Sequence, residues 1–128
     1  MAHILVIDDN AEFREILRSH LEANGHQVAL AGNGDQGLAV LDRGGIDIVL
    51  TDILMPQRDG IEVLRAAKQH WPGLPVIAIS GGGWIDAGDL LGMAERLGAD
   101  LVLQKPVRRD DLISAVDAAL RENLRKSG

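Results

Sequence analysis

Side chains that could act together in one reaction follow four apolar runs of the sequence. Asp8 and Asp9 come directly after the first run, and Asp52 follows the third. Ser80 follows the fourth run and Lys105 the fifth. Three neighbouring carboxylates repel one another unless a cation neutralises them, and a hard divalent ion such as Mg²⁺ prefers oxygen ligands. The set predicts metal-assisted phosphoryl transfer with Asp52 as the nucleophile. The Ser80 hydroxyl and the Lys105 ammonium would contact phosphoryl oxygens.

Each of these side chains has an ordinary structural explanation when it is taken alone. The first acidic pair could cap a helix that begins near Ala11, and Asp52 could be a turn residue. Ser80 alone would be part of a loop, and Lys105 alone would be a solvated side chain. Their coincidence at four strand ends favours a shared chemical site.

The apolar pattern predicts the strands that would position these residues. The five runs are Ile4–Ile7, Val28–Leu30, Ile46–Leu50, Val76–Ile79 and Leu101–Leu103. The first, third and fourth are nearly continuous, as expected for parallel strands buried on both faces. Helical segments between them predict an α/β fold, a doubly wound five-stranded parallel sheet of the (βα)5 type. Ligands bind such sheets beyond the carboxyl ends of the strands.

Apolar stripes at helical spacing separate the strands. Asn24-Gly25 is expected to stop the first stripe, Pro72-Gly73 the second and Gly98 the third. The segment Asp35–Arg43 predicts a further short helix. The stripes are Phe13, Ile16, Leu17 and Leu21; Ile61, Leu64 and Trp71; Leu90, Met93, Ala94 and Leu97; and Ile113, Val116, Leu120 and Leu124.

The composition excludes several classes of protein. A length of 128 residues and a hydrophobic fraction of 46% suit one domain with its own core, so we expect a single domain over residues 1–128. The net charge of −6 argues against a nucleic-acid surface. The absence of cysteine excludes disulfides and thiolate metal sites. No signal peptide or membrane-spanning run is evident, which predicts a cytoplasmic protein with no membrane partner.

The ordered motifs resemble the receiver domain of two-component response regulators. They are Asp8-Asp9 after the first strand, DILMPQRDG from Asp52, Ser80 after the fourth strand, and GADLVLQKP ending at Lys105-Pro106. The resemblance covers essentially the whole chain and implies the flavodoxin-like receiver fold. It implies a regulatory protein rather than an enzyme. This protein would accept a phosphoryl group from a histidine kinase or phosphotransfer protein. Its catalysis would be limited to its own phosphorylation and dephosphorylation.

The resemblance implies a metal site around the phosphoacceptor. Asp52 would take the phosphoryl group and would bind Mg²⁺ together with Asp9. Asp8 would act on the metal mainly through water. The backbone carbonyl of Leu54 would be the third protein ligand. No other cofactor is expected.

The resemblance also assigns the residues that contact the phosphoryl group. Ser80 would move toward it, and Lys105 would pair with it, with the Lys105–Pro106 bond in the cis form. Most receivers carry tyrosine or phenylalanine three residues before this lysine, as a rotameric switch coupled to the hydroxyl. Val102 stands there in this chain, so the usual aromatic readout is not expected.

Two further departures concern the loops. Ser80 and Lys105 are separated by 105 − 80 = 25 residues, more than is usual in the family. We hypothesise that phosphorylation orders this glycine-rich loop, with Trp84 as its reporter. Leu54 and Gly82 occupy positions that tune phosphoaspartate hydrolysis, and neither side chain can orient a water. We therefore predict a long-lived phosphorylated form.

Two other functions remain as alternatives. The stretch GNGDQG, Gly32 to Gly37, fits the G-x-G-x-x-G pattern of dinucleotide-binding proteins and lies between a strand and a helix. It occupies the second strand–helix turn rather than the first and leaves the acids and the lysine unexplained, so a loop entering a short helix is favoured. A phosphorylation-independent interaction module of the same fold is the second alternative. Such a module would be expected to have lost an acid or the lysine.

No output domain is expected on this chain. The signal would therefore pass to an unknown downstream protein, and homodimerisation on activation stays open. The kinase, the stimulus and the target are not encoded in any recognisable motif.

Overall fold

In the computed structural model, five parallel strands form one sheet in the order β2-β1-β3-β4-β5. This confirms the predicted α/β fold. The structure describes residues 1–53, 60–81, 96 and 98–127, with side chains as far as residue 122. The elements are β1 (His3–Ile7), α1 (Ala11–Ala23), β2 (Gln27–Ala31), α2 (Gly34–Arg43), β3 (Ile48–Asp52), α3 (Gly60–His70), β4 (Val76–Ser80), β5 (Leu101–Gln104) and α4 (Arg109–Ser127).

The sheet is buried on both faces, as its continuous apolar runs predict. Along β1, Ile4 and Val6 point into a core shared with α1 and α4, while Leu5 and Ile7 point into a core shared with α2 and α3. All four side chains are fully buried. Burying each such side chain contributes about 1.5–3 kcal/mol to the stability of the fold. The central strands are therefore firmly packed, and the residues at their ends have fixed positions.

Helix α1 begins directly after β1 because Asn10 caps it. The Asn10 side chain accepts a hydrogen bond from the Phe13 N–H at 2.9 Å, which satisfies one of the free amides of the first turn. Leu17 and Leu21 are fully buried, as the apolar stripe predicts. The prediction was wrong for Ile16, which is 45% exposed. It lies about 100° around the helix from Leu17, outside the narrow stripe that contacts the sheet.

The GNGDQG stretch is accounted for by packing. Asn33 caps α2, and the Gly32 N–H donates to Gln36 Oε1 at 2.8 Å. A β-carbon at Gly37 would collide with the side chain of Ile7. These contacts agree with the structural interpretation of the motif as a tight loop that enters a helix packed closely on β1.

Both ends of the third strand differ from the prediction. The third strand is Ile48–Asp52 rather than Ile46–Leu50, because its ladder extends through Thr51 and Asp52. Ile46 lies before the strand and packs against the α2–α3 core. Polar residues at a strand end pair as well as apolar ones do, so the apolar run misplaced the strand by two residues.

The later helices follow the predicted order. In α3, Leu64 is buried, and Trp71 follows the helix with its N–H bonded to the Ala67 carbonyl at 2.8 Å. In α4, Val116 is buried as predicted. The buried face of this helix also includes Leu112, Ala115 and Ala119, which the predicted stripe did not contain.

The predicted stripe from Leu90 to Leu97 lies outside the described residues. Gly98, its expected stop, has a φ of +81°. In the described part of the chain, no helix is both long and apolar enough to cross a membrane.

Candidate functional site

The carboxyl edge of the sheet, where β1 to β5 end, carries Asp8 immediately after β1. Its side chain is fully buried, and its Oδ1 accepts a hydrogen bond from the Asn10 N–H at 2.8 Å. The Asp8 carbonyl accepts one from Arg14 at 2.7 Å, and its N–H donates to the Ala31 carbonyl at 3.1 Å. Asp9, the next residue, is exposed. One acid is therefore held rigidly while its neighbour faces solvent.

Asp52 is the last residue of β3 and is only 4% exposed. It pairs in register with Ile79 of β4, and the Ile53 N–H donates to the Ile79 carbonyl at 3.1 Å. The start of α3 lies against this strand end, because a β-carbon at Gly60 would collide with the Asp52 carbonyl oxygen. The glycine in DILMPQRDG thus allows the helix to close over the strand that presents the acid.

Lys105 joins the two buried acids. Its Nζ lies 3.1 Å from Asp52 Oδ2 and 3.2 Å from Asp8 Oδ2. The Lys105 N–H donates to the Ser80 carbonyl at 2.8 Å, and the Lys105–Pro106 peptide is cis, as predicted. The side chain is 27% exposed, so the ammonium lies at the mouth of the site rather than beneath it.

The pKa of Lys105 lies above its ordinary value. Burial alone would lower this pKa, but the hydrogen bond to Asp52 and the charges of Asp52 and Asp8 outweigh the burial. The side chain therefore stays protonated at neutral pH. It is a fixed positive charge at the carboxyl edge.

Ser80 ends β4 at the same edge and is 1% exposed. Its hydroxyl is 3.5 Å from the Gly81 carbonyl, the outer limit for a hydrogen bond. A hydroxyl held so weakly can reorient at low cost toward a stronger acceptor. The structure therefore places Ser80 at the predicted edge with its donor available.

The acids form a group that could hold a metal ion. One ligand oxygen from each of Asp8, Asp9 and Asp52 lies within 4.8 Å of the others. Asp8 Oδ2 is buried and accepts no hydrogen bond of adequate geometry, so the ion pair with Lys105 is its described partner. Among the described residues, these three carboxylates and the Lys105 ammonium carry a net negative charge, and an all-oxygen donor set fits a hard divalent cation.

Several predicted residues lie away from this group or outside the described part. Val102 is half-buried on β5, where it packs against the α2–α3 core. Leu54, Gly82 and Trp84 lie outside the described residues, so the metal-ligand, hydrolysis and loop-ordering hypotheses that use them stay predictions.

Sequence reasoning missed Phe13 at this site. The Lys105 ammonium lies 4.4 Å from the centroid of the Phe13 ring, in a cation–π contact. The sequence shows Phe13 only as one member of an apolar stripe. Its place in the first turn of α1, directly after the acidic pair, is the signal that could have indicated a position near the site.

The chain matches the family model of the response regulator receiver domain over residues 4–117. It is 34% identical over 122 residues to the transcriptional regulatory protein GlrR of Escherichia coli K12, and 37% identical over 123 residues to the transcriptional regulatory protein CpxR of the same strain. These matches cover 95% and 96% of this chain but 27% and 51% of the relatives. The chain thus spans between about a quarter and a half of their length.

Solved structures show the same likeness. A response regulator receiver domain protein from Clostridium thermocellum has a TM-score of 0.84 at 34% identity, over 95% of this chain and 96% of that one. A CheY-like receiver domain protein from Methanospirillum hungatei JF-1 has a TM-score of 0.86 at 28% identity, over 100% of this chain and 99% of that one.

Proposed function

Because the chain belongs to the response regulator receiver domain family, we propose that Asp52 accepts a phosphoryl group from a phosphohistidine of a partner protein. Receiver domains are regulatory phosphoacceptors, and the family interacts with histidine kinases and phosphotransfer proteins. The observation that carries the proposal is the bridge from Lys105 to both Asp8 and Asp52, at 3.2 and 3.1 Å, at the carboxyl edge.

The proposed transfer is a substitution at phosphorus. A carboxylate oxygen of Asp52 forms the new P–O bond while the P–N bond to the donor imidazole breaks, and the imidazole takes up a proton. The product is an acyl phosphate on the strand end. Asp52 suits this role because the β3–β4 ladder fixes its backbone at the carboxyl edge of the sheet, and carboxylates can form acyl phosphates.

Lys105 and Ser80 are proposed to bind the transferred group. The raised pKa of Lys105 keeps its ammonium charged, so it can pair with a phosphoryl oxygen once that oxygen replaces the carboxylate charge of Asp52. Ser80 would turn its hydroxyl from the Gly81 carbonyl and donate to a second oxygen. Both groups lie at the carboxyl edge that carries Asp52.

We further propose that the acids hold Mg²⁺. Asp9 and Asp52 would be direct ligands, Asp8 would act mainly through water, and the Leu54 carbonyl would complete the protein ligands. When bound, the ion would neutralise negative charge on the phosphoryl oxygens. The buried Asp8 oxygen without a hydrogen bond supports this assignment, because a cation or its water would satisfy it.

The phosphorylated protein is proposed to signal to a downstream protein partner through a conformational change.

Intact-protein mass spectrometry after incubation with acetyl phosphate and Mg²⁺ tests the central step. One added phosphoryl group is expected in the wild type and in Asp42→Asn, a matched change of an exposed acid on α2. No addition is expected in Asp52→Asn or when EDTA removes the metal. If acetyl phosphate fails, a phosphorylated histidine kinase or phosphotransfer protein is the second donor. Failure with both donors would contradict the proposal and favour a phosphorylation-independent interaction module.

A further inference from the structure

Lys105 has a third neighbour besides its two acids. The Phe13 ring lies beneath the ammonium, with 4.4 Å between Nζ and the ring centroid. The electron-rich face of an aromatic ring attracts a cation within about 6 Å. Phe13 is half-buried and packs against the α1–α4 core. The ring is therefore a fixed platform rather than a mobile surface side chain.

Hydrogen bonds fix the backbone of Phe13 relative to the site. Asp8 Oδ1 accepts from the Asn10 N–H at 2.8 Å, and Asn10 Oδ1 accepts from the Phe13 N–H at 2.9 Å. The side chain of the next residue, Arg14, donates to the Asp8 carbonyl at 2.7 Å. The position of Phe13 is thus set by α1 and Asp8, and none of these bonds involves Lys105.

The three contacts of Lys105 respond differently to chemistry at the site. The charges of Asp8 and Asp52 attract the ammonium, but these acids are also the proposed partners of the metal and the phosphoryl group. When those ligands share the carboxylate charge, the attraction on Lys105 weakens. The face of Phe13 keeps its electrostatic character in every state, because the ring takes no part in the reaction.

We propose that Phe13 is a positioning residue for Lys105, holding its ammonium at the carboxyl edge by a cation–π contact while Asp8 and Asp52 change partners. This inference rests on the proposed function of Asp52. A lysine carries a flexible four-carbon stem, so a fixed ring beneath its end reduces the conformations that the site must select. Phosphoryl transfer then begins with the ammonium in place.

A double-mutant cycle tests the proposal by the rate of phosphorylation with acetyl phosphate and Mg²⁺. Phe13→Leu keeps an apolar side chain but removes the ring face, and Phe13→Tyr keeps the face. We expect Phe13→Leu to slow the wild type about fivefold and Phe13→Tyr to stay within about twofold. In a Lys105→Met background, Phe13→Leu is expected to have no further effect. Equal slowing in both backgrounds, or none in the wild type, would overturn the proposal.

A second measurement needs no phosphorylation. The chain has three lysines, Lys68, Lys105 and Lys126, so the ε-methylene signals of a ¹³C-lysine-labelled protein are few, and Lys105→Met assigns one of them. Protons over a ring face are shielded, so the Lys105 signal is expected upfield in the wild type and in Phe13→Tyr, with and without Mg²⁺. It should move downfield in Phe13→Leu.

An unchanged Lys105 signal in Phe13→Leu, or one that loses its upfield shift when Mg²⁺ is added, would overturn the inference. If the wild type takes up no phosphoryl group from any donor, the proposed function fails instead. The lysine spectrum then still decides whether the ring holds the ammonium, so the two failures are distinguishable.

Discussion

Acidic side chains have different surroundings at the amino and carboxyl edges of the sheet. At the amino edge, where the strands begin, Asp100 Oδ2 accepts from the Val76 N–H and from Lys68 Nζ, both at 2.7 Å. Asp47 Oδ2 accepts from the His3 N–H at 2.8 Å. Each of these acids thus links the start of a strand to a neighbouring segment. At the amino edge, carboxylates contribute stability.

At the carboxyl edge, three acids lie close together, and the Lys105 ammonium contacts two of them. Asp8 and Asp52 are almost fully buried, Asp9 stands beside them, and Lys105 contacts the buried pair. Carboxylates that lie close together repel one another, and this repulsion costs stability. Under the proposed function, the carboxyl edge binds ligands and the amino edge holds the fold together, a common division between functional and structural regions.

The largest expected effect distinguishes two glycines at these edges. Gly60→Ala should lower the free energy of unfolding by more than about 3 kcal/mol, because its β-carbon would collide with the backbone of Asp52 and Ile53. Gly73→Ala, near the amino edge, has open space around it and should change stability by less than about 0.5 kcal/mol. Urea unfolding measures both. Similar losses would show that Gly60 has no special place at the site.

The next effect tests the amino edge. Asp100→Ala removes the acceptor of the Val76 N–H and of Lys68, so we expect a loss of about 2 kcal/mol in the free energy of unfolding, without loss of phosphorylation. Asp42→Ala on the exposed face of α2 is the control and should stay within about 0.5 kcal/mol of the wild type. A phosphorylation defect in Asp100→Ala would contradict the purely structural role assigned to the amino edge.

Metal binding should offset the loss of stability that repulsion among the acids causes at the carboxyl edge. A ligand that binds only the folded state stabilises it by mass action, by about 1.4 kcal/mol at about tenfold its dissociation constant. Mg²⁺ should therefore raise the unfolding midpoint of the wild type and of Asp42→Asn but leave Asp52→Asn nearly unchanged. Equal stabilisation of all three proteins would place the ion elsewhere.

The smallest expected effect is a gain in stability. Asp8→Asn keeps an oxygen for the Asn10 N–H and removes one of three crowded charges, while Lys105 retains Asp52. Without metal, the variant should be more stable than the wild type by about 1 kcal/mol, and it should lose the response to Mg²⁺. Chemical denaturation decides the sign. A destabilised variant would mean that the Asp8–Lys105 ion pair outweighs the repulsion among the acids.

The sequence predicted most of the fold because its signals are local. Continuous apolar runs such as Ile4–Ile7 and Val76–Ile79 have one reasonable interpretation, a strand covered on both faces. The third strand was misplaced because Thr51 and Asp52 are polar but still pair with β4. Ile16 was assigned to the core because spacing alone does not fix the width of the buried stripe.

The candidate site was predictable as far as topology determines it. Parallel strands bring their carboxyl ends to one edge, so Asp8, Asp52 and Lys105 were expected at the same edge of the sheet once the strands were known. The contact of Lys105 with Phe13 was not predictable, because it depends on where α1 packs against the sheet. The orientation of the Ser80 hydroxyl depends on local geometry that residue type does not encode.

The most direct test of the account is to locate the phosphoryl group on the chain. The wild type would be phosphorylated, reduced with borohydride, which converts a phosphoaspartate to homoserine, and mapped by peptide mass spectrometry. We predict homoserine at position 52 and unmodified Asp8 and Asp9. Homoserine at either of the other two positions, with Asp52 intact, would contradict the assignment of Asp52 as the acceptor.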